Sequence, residues 1–297
     1  MRILPRFGAK EKIPDNQKTF LSKTVFIMRT FKHYPLLPLA ALTLHPLRKN
    51  TPESTLSLIK EFLQGQLTCD MNNVSPTQSR WFSHCNLQGQ MMTLGRIIQS
   101  QDSYWLIIPK SIADTSRSLL EKYASFSRLE VRSVPDLDFF GLSADFLPEH
   151  FPSELYAAST FNQTVLICVQ THPYRWLSIQ EKSSDFLSKL NLETFTEKDW
   201  LAEEIRVHSP FLTPETVGKF LPHDIDLPQK LGVSFQKGCF LGQEIIARME
   251  HLGKLKRKMM LKTWDPLHPL PEDSEVICSV EENEKQIGLV STHLLFS

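Results

Sequence analysis

The sequence predicts an α+β fold in which short strands and helices are mixed, followed by a small all-β unit. Three observations predict it. The chain has 297 residues, of which 41% are hydrophobic and 22% charged, a composition typical of globular proteins with about two domains. Helical and strand patterns alternate, but the strands are short and joined by hairpin turns, unlike those of a doubly wound fold. From residue 259 onwards only strand patterns remain.

The N-terminal half begins with an amphipathic helix. Apolar residues recur at helical spacing over residues 54–67, and Thr51 or Ser54 would cap the helix. A turn is predicted at residues 86–89, which end in glycine. The other elements predicted in this half are strands over 83–85, 91–98, 104–109 and 129–133 and a helix over 111–123.

The C-terminal half contains fewer clear patterns. Residues 135–152 are rich in Pro, Asp and Phe, and we interpret them as a crossing segment between domains. Residues 210–228 are rich in Pro and irregular. The elements predicted here are a strand over 165–170, helices over 183–190 and 197–207, and C-terminal strands over 258–264, 275–280 and 286–291.

Charge is unevenly distributed along the chain. The 33 basic and 33 acidic residues cancel, but residues 1–32 carry +6 and the remainder carries −6. The acidic body disfavours a dedicated nucleic-acid binder. We interpret the basic segment as a disordered tail or as sequence upstream of a true start at Met28, with a mitochondrial presequence as the alternative. No apolar run is long enough to predict a transmembrane helix.

The five cysteines include no CxxC pair. This argues against a disulfide framework and against a zinc or iron–sulfur site built from local cysteine spacing. The spacing instead indicates a reducing compartment. The sequence also has no P-loop and no GxGxxG, HExxH or GxSxG motif, so nucleotide-binding, zinc-protease and hydrolase functions are unsupported.

The most informative segment is KGCFLGQE, residues 237–244. Gly238 and Gly242 permit left-handed backbone angles or a close backbone approach, and the apolar stripe that follows predicts a helix. We therefore expect Cys239 in the loop or first turn at the N-terminus of that helix. There the helix dipole and Lys237 would favour the thiolate, making Cys239 a candidate reactive thiol. The alternative is a tight turn in which Cys239 is a small buried filler.

Positive charge follows this segment closely. Residues 254–258 hold four cations in five positions, and such a run can contact phosphates or carboxylates, or form a solvated strand edge. Together with Lys237 and Arg248, the run predicts a local cationic site for an anionic ligand beside Cys239.

Five motifs, in order along the chain, resemble those of the YgfZ proteins, the folate-binding relatives of the glycine-cleavage T-protein. The resemblance covers the chain from about residue 54 to the C-terminus. The motifs are FLQGQLTCD at 62–70, HCNLQGQM at 84–91, KYASFS at 122–127, GKFLP at 218–222 and KGCFLGQE at 237–244.

The resemblance implies two interleaved α+β modules around a central folate cleft and a small C-terminal β-barrel. We accordingly divide the chain into a basic tail, an N-terminal folate-binding module, a second module that contains KGCFLGQE, and a barrel-like domain: residues 1–33, 34–140, 141–258 and 259–297. The implied cofactor is tetrahydrofolate or a related folate, without a stable metal.

The implied role is assembly or repair of iron–sulfur clusters in client enzymes, including enzymes that thiolate tRNA. The expected partners are folate and iron–sulfur client or assembly proteins, with no membrane and with tRNA contact not favoured. We expect a monomer in the cytoplasm, with the mitochondrial matrix as the alternative compartment.

The resemblance also implies site residues. Trp200 matches by position a tryptophan that lines the family's folate site, where an indole suits stacking on a pterin; the alternative is a core anchor of its helix. The predicted cofactor-binding residues are Trp200, Gln64, Asp70, Arg206, Lys237, Gly238, Gly242, Gln243, Glu244 and Arg248.

Three departures from the family pattern qualify the function. No tryptophan precedes residue 56, although the family has a second one there. Residues 91–96 lack the catalytic aspartate that the T-protein carries in this position. Arg206 stands where a glutamate would hold the pterin edge, so we expect a changed folate orientation or a contact of Arg206 with the glutamate tail. The chain is therefore predicted to lean away from catalysis, with two alternatives: a folate-dependent aminomethyltransferase or other one-carbon transferase, and a direct tRNA-binding modification factor.

Overall fold

The computed structural model describes residues 30–35, 37–48, 51–161, 163–252, 257–268, 270–271 and 274–293. Most of the predicted basic tail lies outside these residues, as do Lys254 and Lys256 of the predicted cationic run. Among the described residues no helix is long and apolar enough to cross a membrane.

The described residues form four α-helices and fourteen strands. The helices are α1 (Pro52–Gln66), α2 (Ala113–Ala124), α3 (Glu197–Arg206) and α4 (Gln243–Leu252). The strands are β1 (Phe31–Tyr34), β2 (Leu39–Pro46), β3 (Arg80–Cys85), β4 (Met91–Ser100), β5 (Ser103–Pro109), β6 (Leu129–Ser133), β7 (Leu137–Ala144), β8 (Ala158–Phe161), β9 (Thr164–Thr171), β10 (Tyr174–Glu181), β11 (Leu192–Thr194), β12 (Arg257–Trp264), β13 (Ser274–Glu282) and β14 (Lys285–His293).

The strands form three sheets. The first has the order β3-β4-β5-β2-β6 and the second the order β11-β1-β7-β10-β9-β8. The two modules are interleaved, because β1 pairs with β7 and β11 of the second sheet whereas β2, which follows it directly, joins the first. Residues 31–33, which we assigned to the tail, are part of β1, and the predicted module boundary at residue 140 falls inside β7.

The predicted α+β class is confirmed, with one refinement at the C-terminus. There the described residues form an open three-stranded antiparallel sheet, β12-β14-β13, rather than a closed barrel. This sheet packs against α3.

Helix α1 shows how local sequence determines an element. Thr51 caps it by accepting a hydrogen bond from the backbone N–H of Ser54, and a proline occupies the first turn, where its missing N–H costs nothing. Ile59, Phe62 and Leu63 are buried in the core that α1 shares with the first sheet. The predicted helix and the Thr51 cap are confirmed.

Two predictions failed because local pattern was a poor guide. Residues 183–190 form only a short 3₁₀ turn at Leu187–Lys189 instead of a helix, and the hydroxyl of Ser184 bonds the backbone N–H of Phe186, a local bond that competes with helix formation. The predicted crossing segment contains β7, a central strand of the second sheet. Its buried residues face cores on both sides of that sheet, so no polar alternation marks it.

Candidate functional site

A cleft lies between the two larger sheets, beside α3 and the segment that follows this helix. Its empty space, counted out to the open mouth, is about 880 Å³. Most of the wall is apolar, with a few charged and hydroxyl groups. The lining residues are Leu37, Pro38, Leu39, Trp81, Leu94, Gly95, Arg96, Ile107, Pro109, Ser111, Val169, Leu177, Trp200, Leu201, Glu204, Ser209, Pro210, Phe211 and Thr213.

Trp200 is the predicted site residue that the structure places in this wall. It lies on α3, whose N-terminus is fixed by a capping box between Thr196 and Asp199. The indole is 4% exposed and packs edge-on against Tyr34, with ring centroids 5.3 Å apart. It also lies directly against the backbone of Gly141, where a Cβ atom would be 2.2 Å from Cε3. Trp200 is therefore both a core residue and part of the cleft.

A buried ion pair supports Trp200 from β10. The guanidinium of Arg175 lies 4.0 Å from the indole centroid, a cation–π contact. It donates hydrogen bonds to Gln170 Oε1 at 3.2 Å and to the carbonyl of Trp200 at 3.4 Å. Arg175 Nη2 lies 2.9 Å from Glu204 Oε1, an ion pair whose alignment is not that of a hydrogen bond. The other oxygen of Glu204 accepts a hydrogen bond from Ser209 Oγ at 2.5 Å.

A second arginine lies on a tryptophan at the first sheet. The guanidinium of Arg96, in β4, is 4.2 Å from the ring centroid of Trp81 and 5.3 Å from that of Tyr156. Burial lowers the pKa of Arg96, an effect that the charge of Glu204 partly opposes. Arg96 makes no hydrogen bond or ion pair with any residue that the structure describes, and its Nη1 is shielded from solvent without a partner.

The five family-like motifs meet elsewhere, around the hairpin of β3 and β4. Lys237 reaches across to the loop after α1, where its ammonium donates to the carbonyls of Leu67 and Cys69 at 2.8 and 2.7 Å. Burial lowers the pKa of Lys237 to about 8. This ammonium therefore bonds backbone carbonyls, whereas we predicted that it would activate Cys239 or hold an anion.

Glycine permits the closest approach at this junction. Gly242 has φ +81°, and a Cβ there would lie 2.5 Å from the carbonyl oxygen of Asn86 and 3.3 Å from the Cβ of Cys85. The predicted turn at 86–89 is confirmed, since Asn86 Oδ1 accepts from the backbone N–H groups of Gln88 and Gln90.

The remaining motifs contact the same hairpin. The backbone of Met91 exchanges hydrogen bonds with Gly218 and Phe220, and the ring of Tyr123 packs edge-on against His84 at 6.1 Å. His84 is buried, neither ring nitrogen has a hydrogen-bond partner among the described residues, and burial lowers its pKa to about 4.

Cys239 lies on the surface of this junction, in the loop ahead of α4. It is exposed, whereas the other four cysteines, Cys69, Cys85, Cys168 and Cys278, are buried. Burial raises the pKa of each of those four thiols, to about 11 for Cys168 and about 12 for the others. Within the described ranges, no three His, Cys, Asp or Glu side chains gather as a metal-ligand set.

The predicted site residues thus fall in three places. Trp200 lines the cleft. Arg206 pairs with Glu203 on its own helix and with Glu282 on β13. The others lie at the motif junction or on α4. At the junction, Gln64 donates a hydrogen bond to Asp70, Lys237 and Gly242 make the contacts described above, and Gly238 has no neighbour near its Cβ position. On α4, Gln243 accepts a hydrogen bond from the backbone N–H of Phe240, and Glu244 and Arg248 are exposed.

Sequence reasoning missed three residues of the cleft, Trp81, Arg96 and Glu204, and Arg175, which holds Glu204 from behind the wall. A signal for two of them exists. Arg96 and Arg175 each interrupt a strongly apolar strand pattern, MTLGRII and YRWLSI, and an arginine inside a buried strand requires a partner. For Glu204 and Trp81 the sequence carries no such mark.

The chain is similar to known proteins in sequence and in fold. No protein-family model matches the chain. A tRNA-modifying protein YgfZ of Colwellia psychrerythraea is 28% identical over 242 residues, covering 78% of this chain and 75% of the relative. One of Buchnera aphidicola subsp. Schizaphis graminum is 33% identical over 204 residues, covering 64% and 63%. The fold matches a glycine cleavage system aminomethyltransferase T from Bartonella henselae, with a TM-score of 0.63, 13% identity and coverage of 90% of this chain and 79% of that one.

Proposed function

We propose that this chain, which is YgfZ-like in sequence and has the fold of an aminomethyltransferase T, binds a tetrahydrofolate. We further propose that it supports iron–sulfur clusters in client enzymes, including enzymes that modify tRNA. The relatives named above are tRNA-modifying proteins, and this is the part of the proposal that they support.

The observation that carries the folate proposal is the composition of the cleft. A pterin is flat, aromatic and rich in hydrogen-bonding atoms on its edge, and the walls offer matching groups. Trp81, Trp200 and Phe211 provide aromatic surface, whereas Arg96 provides donors and Glu204 an acceptor. The unpartnered Nη1 of Arg96 is an unused donor inside the cleft. The residues present therefore fit the ring system of a folate.

The side chains of the cleft favour binding over group transfer. Tetrahydrofolate, when bound, would supply a carrier for a one-carbon unit. Of the residues that line the cleft, Glu204 is the one carboxylate, and it is already engaged by Arg175 and Ser209. Thr93 occupies the region where the T-protein has its catalytic aspartate, and its hydroxyl donates to Ser116. A general acid or base free to act on a substrate is therefore missing from this wall.

Cys239 is the proposed point of contact with iron–sulfur clients. It is the exposed thiol of the chain, so it can reach a partner's cluster or thiol, whereas the four buried thiols cannot. A cluster requires several ligands, so one cysteine would act with ligands supplied by the client.

Calorimetric titration with 5-formyltetrahydrofolate, a stable reduced folate, tests the cofactor. We expect wild-type protein to bind and Trp200→Ala to bind at least about tenfold more weakly, because the variant loses the aromatic wall. Trp264→Ala, on β12 and outside the cleft lining, is the matched control. Circular dichroism verifies that each variant is folded. Absence of binding by the wild type would refute the cofactor proposal.

Complementation tests the client role. A bacterial strain lacking its own YgfZ would carry the wild-type gene, Cys239→Ser or the control Cys168→Ser, and thiolated tRNA nucleosides would be quantified by mass spectrometry. We expect Cys239→Ser to lose complementation while its purified form still binds folate. The control keeps the donor that Cys168 provides to the carbonyl of Gln170 and should complement. Full complementation by Cys239→Ser would refute the role of this thiol.

A further inference from the structure

The guanidinium of Arg96 is the unexplained charge of the cleft. Arg96 is 6% exposed and lines the cavity between the two sheets. Its contacts are with the faces of Trp81 and Tyr156, and its Nη1 is shielded from solvent without a hydrogen-bond partner among the described residues. A buried donor of a charged group without a hydrogen-bond partner is unfavourable.

Arg175, behind the wall of the cleft, shows what a structural arginine looks like here. It also lies on a tryptophan and leaves its Nε without a partner among the described residues, but two hydrogen bonds and the carboxylate of Glu204 hold it. The two residues therefore share the cation–π contact, and of the two Arg175 is the one held by hydrogen bonds and an ion pair to described residues. Packing on an aromatic ring alone accounts for the position of Arg96 but not for its unused donors.

No anion of the cleft is available to satisfy Arg96. The negative charge of Glu204 raises the pKa of Arg96 and so partly offsets the effect of burial, but the two side chains are not within ion-pair distance. Both oxygens of Glu204 are already engaged by Arg175 and Ser209. Two guanidinium groups, Arg96 in the cleft and Arg175 behind its wall, thus share one carboxylate, which leaves a surplus of positive charge and of hydrogen-bond donors.

We propose that Arg96 is the specificity-determining residue of the cleft and donates hydrogen bonds to an oxygen of the bound ligand, beside the aromatic surface of Trp81. The ligand class is a planar heteroaromatic compound that presents an oxo or carboxylate oxygen at this point. The inference rests on the proposed folate function, and a folate has both kinds of oxygen, on its pterin ring and on its glutamate tail.

Titration of the full chain with three probes tests this assignment. The probes are 5-formyltetrahydrofolate, 6-methyltetrahydropterin, which has the ring oxygen but no carboxylate, and p-aminobenzoylglutamate, which has the carboxylates but no pterin. We expect Arg96→Met to weaken binding of 5-formyltetrahydrofolate about tenfold or more, as loss of a charged hydrogen bond does, with partial recovery in Arg96→Lys. A loss repeated with the pterin assigns the ring oxygen, and a loss repeated with p-aminobenzoylglutamate assigns the tail. Arg117→Met, a partly exposed arginine of α2, is the matched control.

Stability without ligand separates recognition from a structural role. Removing an unsatisfied buried charge should leave the melting temperature of ligand-free Arg96→Met equal to that of the wild type or higher. A clear fall in the melting temperature would assign a structural role to Arg96 and overturn the proposal. Unchanged affinity in Arg96→Met would also overturn it while leaving the folate proposal standing, whereas a wild type that binds no probe would overturn both.

Discussion

Gly141→Ala is the change for which the structure makes the sharpest prediction, because one methyl group would enter the space of Trp200. Gly141 lies in β7 beneath the indole. An added Cβ would stand 2.2 Å from Cε3, 2.4 Å from Cζ3 and 2.8 Å from Cδ2. Non-bonded carbon atoms are normally about 3.5–4.0 Å apart. The indole would therefore have to move by more than about 1 Å.

The surroundings of Trp200 restrict this movement. Arg175 and Tyr34 lie against the ring, and Arg175 is itself held by Glu204. Overpacking a filled core costs about 1–3 kcal/mol, and we expect the upper part of this range, about 2–3 kcal/mol, because the obstructing atoms belong to a rigid ring. Displacement of the indole should also weaken folate binding, since Trp200 lines the cleft.

Urea denaturation of Gly141→Ala and of a matched variant, Gly65→Ala, measures this effect. Gly65 lies in α1 with nothing within 4 Å of its Cβ position, so alanine there should stabilise the protein by about 0.5–1 kcal/mol. The two identical substitutions are thus predicted to change stability in opposite directions. If Gly141→Ala is as stable as the wild type, the indole is not confined as described and the reasoning is refuted.

Three further predictions follow from the motif junction. His84 resists protonation when folded, its pKa being lowered from 6.5 to about 4, so the unfolded chain takes up the proton first. Stability should fall by on the order of 3 kcal/mol between about pH 6.5 and pH 4, and urea denaturation of His84→Leu should lack this component. Ellman's reagent should titrate one thiol in the native wild type and none in native Cys239→Ser; several fast thiols would contradict the burial of the others. Gly242→Ala should lower the free energy of unfolding, measured by urea denaturation, by more than about 2 kcal/mol, because alanine is strained at this left-handed backbone angle and its Cβ would collide with the carbonyl of Asn86. Gly238→Ala is the control and should lower it far less, because nothing lies within 4 Å of its Cβ position.

The elements with a strong local signal were predictable, and those without one were not. Helix α1 and strands β4 to β6 follow from apolar periodicity, capping and turn residues, all of which act between near neighbours in the chain. Strands β7 and β10 escaped prediction, since each carries apolar residues on both faces and β10 also includes a buried arginine. Their conformation depends on sheet pairing with distant strands, which no local window contains.

The candidate site divides in the same way. The resemblance to the YgfZ proteins, which the motifs carry, implied Trp200 by position, and the sequence alone identified Cys239 within its glycine-flanked segment. Which groups actually share the cleft was decided by tertiary structure.

By itself, the sequence determined the α+β class, the elements with a strong local signal and the family likeness, because those depend on short-range periodicity and on contiguous motifs. Only the tertiary structure brought Arg96 and Trp81 of the first sheet into one cleft with Glu204 of the second module, which Arg175 holds in place. It also showed that the motif segments 62–70, 84–91 and 237–244 meet one another at a separate junction instead of lining the cleft. The physical reason is that burial and charge pairing arise from contacts between residues far apart in the sequence, such as Lys237 and Leu67, and such contacts exist only once the elements have packed.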